Sequence, residues 1–168
     1  IKVYHILSNL HIMLVKSFNL EVKIMAYDTR ELFARLIQCE AGGEGEDGMR
    51  AVATVIMNRA TISYGEFARV SKGGDVRNII TQPGQFVCMR ESVGGVYNPQ
   101  NVYNMNPTQE HFDIVDWAMG GGRLMGVDES LFFHNPYSTK CPTYFPTNVG
   151  VIHNRIGDHC FYLPTSYY

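Results

Sequence analysis

The chain has 168 residues, 45% of them apolar and 18% charged, with a formal net charge of −2. That length and balance predict one folded domain with a substantial core and exclude a disordered chain. Scattered lysines and arginines with no basic cluster exclude a nucleic-acid or anionic-membrane partner and leave a neutral or bulky one. Residues 1–25 are greasy but interrupted. Their longest apolar run, residues 12–15, is far below the ~18 residues that span a membrane and too short for a signal-peptide core. Met25, followed by Ala-Tyr-Asp-Thr-Arg-Glu-Leu, reads as a natural start. Residues 1–25 are therefore expected to lie outside the domain, and residues 26–168 to form it.

The first predicted helix starts at Asp28, where Asp28-x-x-Glu31 has the form of a capping box. Leu32, Phe33, Leu36, Ile37 and Glu40 share one face, so Glu40 continues an apolar stripe. Gly42 and Gly43 end the helix. A second helix is predicted over 47–60. It is apolar nearly all round, with Val52, Val55, Ile56 and Arg59 at helical spacing, so it belongs in the core. Arg59, at its end, is expected to bond carbonyls or an acidic side chain. Residues 61–74 read as a polar connection, and residues 75–82 as a short helix stopped by Pro83-Gly84. Residues 88–107 are irregular, and so long a loop inside a compact domain is usually functional. Thr108 caps another helix in which Phe112, Val115 and Met119 align, and Gly120-Gly121-Gly122 ends it. The last third carries short β-prone runs, Leu-Phe-Phe-His-Asn, Val-Gly-Val-Ile-His-Asn and His-Cys-Phe-Tyr-Leu, which predict a small antiparallel sheet. Helices first and strands last predict an α+β fold.

The four cysteines, at 39, 88, 141 and 160, contain no Cys-x-x-Cys pair, which argues against a zinc ribbon or a thioredoxin-type motif. Free thiols in a reduced compartment are the plain expectation, with a Cys141–Cys160 bridge left open. A zinc set of Cys141, His153, His159 and Cys160 is disfavoured because adjacent strand residues point to opposite faces. Cys39 as a nucleophile is disfavoured because it lies ~100° around the helix from Glu40. No metal and no cofactor are expected.

Glu40 carries the chemical expectation. On an apolar face at a helix C-terminus, desolvation and the negative end of the helix dipole both raise a carboxyl's pKa. A carboxyl held protonated near neutral pH is a general acid. Glu44 is expected near the site, holding the loop by accepting backbone N–H bonds at the start of the second helix. Gln85 and Phe86 follow a Pro-Gly turn and could present an amide and a ring to a sugar. Tyr97, Tyr103, Tyr137, Tyr144 and Phe145 are further aromatic candidates, Phe86 leaning to packing and Tyr144 to the cleft. Asn135 and His159 sit at strand or loop ends, where polar groups project into sites, and His159 could bridge to a catalytic carboxyl.

Taken together, Glu40-Ala41-Gly42-Gly43-Glu44, the Thr-Gln-Pro-Gly-Gln-Phe segment at 81–86, and the C-terminal His-Asn-Pro-Tyr-Ser-Thr-Lys-Cys-Pro-Thr-Tyr-Phe and Ile-Gly-Asp-His-Cys-Phe-Tyr-Leu-Pro runs resemble the bacterial cell-wall hydrolase family of spore cortex-lytic SleB/CwlJ type. They are most similar to its CwlJ branch. The resemblance spans roughly residues 28–165 and departs from the family at Gly43 and over 1–25. It implies a lysozyme-like, mainly helical core and a peptidoglycan-cleaving enzyme with Glu40 as its acid. The substrate implied is spore cortex, cleaved during germination by lytic transglycosylation or hydrolysis. It also implies a spore-coat or cortex location, with room for a coat-protein partner. The rival reading is a non-catalytic glycan-binding or coat-structural protein that keeps the aromatic cleft without needing Glu40.

Overall fold

The computed structural model describes residues 12–15 and 26–168. The expectation that residues 1–25 stand apart from the domain lies outside the described residues, except for a helical turn at 12–15 whose side chains are exposed. Five helices follow: α1 (Thr29–Ala41), α2 (Gly45–Thr61), α3 (Gly65–Ser71), α4 (Val76–Ile80) and α5 (Gln109–Met119). A two-stranded ribbon, β1 (Ser92–Val93) and β2 (Val96–Tyr97), lies between α4 and α5. A three-stranded antiparallel sheet closes the chain, with β3 (Phe132–His134), β4 (Gly150–Ile156) and β5 (His159–Pro164) in the order β3-β5-β4. The fold is α+β, mainly helical, with a small C-terminal antiparallel region, as the sequence predicts. No helix among the described residues is long and apolar enough to cross a membrane.

α1 starts where the Asp28 carboxylate accepts the Glu31 N–H at 2.7 Å. Glu31 does not complete a capping box. Its carboxylate instead takes two N–H bonds from Arg35, one turn on. Leu32, Phe33, Leu36 and Ile37 are fully buried, each contributing about 1.5–3 kcal/mol of apolar burial. α2 is buried on almost every side, from Met49 through Ala60, and forms the rigid back wall.

Two segments depart from expectation. Residues 65–71, read as polar connection, form α3 because Phe67 has a core position to fill. In α5 the buried face is His111, Ile114, Val115 and Ala118, and Met119 is exposed. The cap sets this register, because the Thr108 and His111 side chains close a reciprocal capping box. The cysteines are not free thiols. Cys39–Cys88 ties the end of α1 to a 3₁₀ turn (Val87–Met89), and Cys141–Cys160 ties the loop after β3 to β5. With their sulfurs joined, Cys39 offers no nucleophile and Cys141 and Cys160 no thiolate pair.

Candidate active site

Glu40 occupies the last turn of α1, directly after the buried stripe. The Cys39–Cys88 bridge holds the 3₁₀ turn Val87–Met89 against that helix end. Cys88 and Glu40 line one cavity, and the Cys88 backbone N–H favours the charged form of the Glu40 carboxyl. Glu40 and Val87 line two cavities, one of about 360 Å³ and one of about 560 Å³. The acid therefore stands on the wall the two cavities share.

The first half of this cleft is built of rings. Phe67 from α3, Phe86, Phe132 and Phe133 from β3, Phe145 and Tyr168 line it. Phe132 stacks on Phe145 with centroids 5.0 Å apart, and Tyr168 meets Phe132 edge-on at 5.6 Å. The Tyr168 hydroxyl accepts the Phe67 N–H at 2.9 Å, which pins that ring to the start of α3. Arg59 is buried among them. Its Nε donates to the Leu131 carbonyl at 2.7 Å, and its guanidinium lies 4.7 Å from the Phe67 centroid and 5.6 Å from that of Phe86.

The second half is polar, lined among others by Gln38, Glu44, Asn98, His134, Asn135 and His159. Glu44 reaches across to the β4–β5 turn, where its Oε2 accepts the Asp158 N–H at 2.7 Å. Gly157, at φ +57°, makes that approach possible, because a Cβ there would collide with the Glu44 carboxylate. Glu44 Oε1 lies 3.7 Å from His159 Nδ1. Among the described residues, neither Gln38 Oε1 nor His159 Nδ1 has a hydrogen-bond partner, although both atoms are buried.

Burial pushes the Glu40 carboxyl up to about 7, with the Cys88 N–H and the Arg59 charge pulling the other way. Near neutral pH it can therefore hold a proton and give it up. Burial also pushes Arg59 down, to about 10, so it remains a cation. His159 is shifted down by burial, against the opposing pull of Glu44 and Asp158. His134 is likewise shifted down by burial. Both rings are therefore weakly basic.

Of the residues singled out in the sequence, the structure brings Glu40, Gln85 and Phe86 to the ring-lined half. It brings Glu40, Glu44, Asn135 and His159 to the polar half, along with Tyr137. Gln85 Oε1 accepts from Arg59 Nη1 at 3.5 Å, and Phe86 is a core ring that also floors the cleft. Four expectations need correction. Glu44 accepts from the strand turn and makes no side-chain cap at α2. His159 faces Glu44 rather than Glu40. Tyr97 lies on the exposed β1–β2 ribbon, its hydroxyl taken by Asn104 at 2.6 Å, and lines neither half. Tyr144 is exposed in a bridge to Val151, while the next residue, Phe145, lines the cleft. Arg59 does bond a carbonyl, as expected, but its charge also acts on Glu40. Sequence reasoning passed over Glu66, Phe67, Phe132, Phe133 and Tyr168, which reach the cleft only through tertiary packing. The run Leu131-Phe132-Phe133 before His134 was the one available signal.

The cell wall hydrolase family profile matches residues 43–162. The chain is similar to the cell wall hydrolase CwlJ of Oceanobacillus iheyensis, at 30% identity over 81% of this chain and 86% of that one. It is similar to the CwlJ of Bacillus subtilis at 29% identity, over 81% of this chain and 85% of the relative. Among solved structures it resembles the catalytic domain of the germination-specific lytic transglycosylase SleB from Bacillus anthracis. That match has a TM-score of 0.54 and 25% identity, covering 81% of this chain and 96% of the other.

Proposed function

The chain belongs to the cell wall hydrolase family, and on that premise we propose that it is a lytic transglycosylase of spore cortex peptidoglycan, with Glu40 as its single acid–base. The observation that carries the reading is a carboxyl pushed up to about 7, set on the wall shared by two halves of one cleft. A glycan strand laid through both halves places one glycosidic bond against that carboxyl. Glu40 protonates the oxygen linking N-acetylmuramic acid to N-acetylglucosamine, and the bond to the anomeric carbon breaks. The resulting carboxylate takes the proton from the muramoyl C6 hydroxyl as that oxygen attacks the anomeric carbon. The product is a 1,6-anhydro end, and Glu40 is again protonated. No water enters, and the substrate supplies the nucleophile.

The ring-lined half suits stacking on pyranose C–H faces. In the polar half, Glu44, Asn135 and His159 offer hydrogen bonds to N-acetyl and hydroxyl groups. The similarity to SleB, a germination-specific enzyme, and to CwlJ supports a germination role and a place at the spore coat or cortex. The two disulfides suit an oxidising location. Hydrolysis would need a second carboxylate at roughly 5–5.5 Å for retention or 6.5–9.5 Å for inversion. Glu66 in the ring-lined half and Glu44 in the polar half are the carboxylates available there.

Digesting cortex and vegetative peptidoglycan with the native chain and with Glu40→Gln, then weighing the released muropeptides by mass spectrometry, tests this. Anhydro-muramic ends made only by the native chain are expected. Reducing ends would mean hydrolysis, and no product from either substrate would leave a glycan-binding role.

A further inference from the structure

The acid and its backbone donor come from segments far apart in the chain, and one covalent bond holds them together. Cys39 immediately precedes Glu40 in α1. Cys88 is Cys39's disulfide partner, with the two Cα atoms 6.2 Å apart; it lines the same cavity as Glu40, and its backbone N–H favours the charged Glu40 carboxylate. The segment bearing Cys88 has little regular structure of its own. It is a three-residue 3₁₀ turn followed by the two-stranded ribbon and a further irregular stretch. A further direct tie to the end of α1 is Gln100 Nε2, which donates to the Cys39 carbonyl at 3.2 Å. Val87, next to Cys88, is exposed and shared by both cleft halves, so this turn forms the cleft edge over the acid.

We propose that the Cys39–Cys88 disulfide is a positioning element for the acid: it holds the Cys88 amide against the Glu40 carboxylate, and opening it removes that donor while the domain stays folded. The inference rests on Glu40 as the acid of the proposed reaction. Cys141–Cys160 is the internal contrast. It ties the loop after β3 to β5, and neither cysteine donates to Glu40.

The other charged and titratable groups facing the cleft around Glu40 are Arg59 from α2, Glu66 from α3, Glu44 before α2, His134 from β3, Tyr137 after β3, His159 from β5, and Tyr168. None of them is on the 3₁₀ turn, so opening the bridge changes the amide donor and leaves these in place. An N–H donor favours the charged carboxylate. Losing it must therefore raise the pH at which Glu40 gives up its proton. An acid that must be protonated to act would then lose activity at a higher pH.

The test is a carbon-13 carboxyl titration by NMR on the full chain labelled at glutamate, with the Glu40 signal assigned by its absence in Glu40→Gln. Three proteins are compared: native, the pair Cys39→Ser/Cys88→Ser, and the pair Cys141→Ser/Cys160→Ser. The first pair is expected to raise the Glu40 midpoint by ~0.5 pH unit or more and to move the alkaline limb of muropeptide release by the same amount. The second pair should leave the midpoint where it was. A folded Cys39/Cys88 pair with an unmoved midpoint overturns the proposal, as does an equal shift in the Cys141/Cys160 pair. Should the first pair fail to fold, the native chain is opened instead with a phosphine in water: the phosphine takes the oxygen of one water and becomes the phosphine oxide, and the bridge takes up the two electrons and that water's two protons. Alkylation and mass spectrometry identify the opened bridge, and the same midpoint decides. The titration needs no turnover, so a chain that releases no muropeptide refutes the transglycosylase reading, while the midpoint still decides the role of the bridge.

Discussion

The two halves of the cleft meet at Glu40 but are made of different material. On one side stand six rings around a buried guanidinium. On the other stand amides, two imidazoles and a second carboxylate, with the buried Gln38 Oε1 and His159 Nδ1 lacking a hydrogen-bond partner among the described residues. Burial removes water from the carboxyl where the two halves meet, and that desolvation is the main reason it is pushed up to about 7. The polar side is suited to orienting a bound sugar. On the proposed reading, burial sets the strength of the acid, and the polar half offers contacts for placing the bond before it.

The largest effect expected is from the acid itself. Glu40→Gln should lower muropeptide release by about 10³-fold, measured against the native chain at pH 6. The same variant carries a stability signature with a definite sign. A carboxyl raised from 4.5 to about 7 binds its proton more tightly in the folded state. It therefore costs nothing below pH 4.5 and progressively more as pH rises toward 7, reaching about 3 kcal/mol. Glu40→Gln should melt like the native chain at pH 4 and at a higher temperature at pH 8. Equal shifts at both pH values would show that the acid is not desolvated.

On the ring-lined side, Arg59→Met should destabilise the fold by about 2 kcal/mol, because the buried Leu131 carbonyl loses its donor. It should also move the alkaline limb upward, since the Arg59 charge favours ionised Glu40. Urea unfolding and a pH–rate profile measure the two. On the polar side, Glu44→Gln should cost about 1 kcal/mol, because a neutral amide oxygen is a weaker acceptor for the Asp158 N–H. It should lower the His159 titration further by removing the carboxylate that raises it, and leave that of Glu40 in place. Proton NMR of the imidazole follows this directly. A Glu40 midpoint that moved with Glu44→Gln would erase the distinction between the halves. The smallest effect belongs outside both: Tyr97→Phe and Tyr144→Phe should each stay within about 0.5 kcal/mol of native stability and retain native turnover.

Much of this was legible in the residues, for reasons that also explain the misses. The place of Glu40 at the end of a buried helix face was readable because a helical stripe of Leu32, Phe33, Leu36 and Ile37 is a local signal that runs directly into it. The β3, β4 and β5 runs were readable because they are short, β-rich and bounded by Gly, Pro and Asn. The ring-lined half was not, because Phe67, Phe132 and Tyr168 come from three separate elements and no local period links them. Tyr144 and Phe145 were both candidates with the lean to Tyr144, and Phe145 is the residue that faces in. In extended chain, neighbours point to opposite sides, so an error of one residue reverses the assignment. The Cys39–Cys88 bridge spans 49 residues of sequence and leaves no spacing signal, although closing so long a loop contributes about 4 kcal/mol through the unfolded chain.

Glu40 sits partway along its cleft, with a cavity to either side, rather than at the blind end of one. An acid at a blind end trims a polymer from its terminus and releases one small unit at a time. An acid met from both directions cuts wherever a strand happens to lie, so early digests should contain a broad ladder of long fragments, with disaccharides accumulating only as those fragments are cut again. The position of one carboxyl along a groove thus bears on how fast a wall loses its mechanical strength: a few internal cuts per strand slacken a network that end-trimming would leave taut until late in its removal.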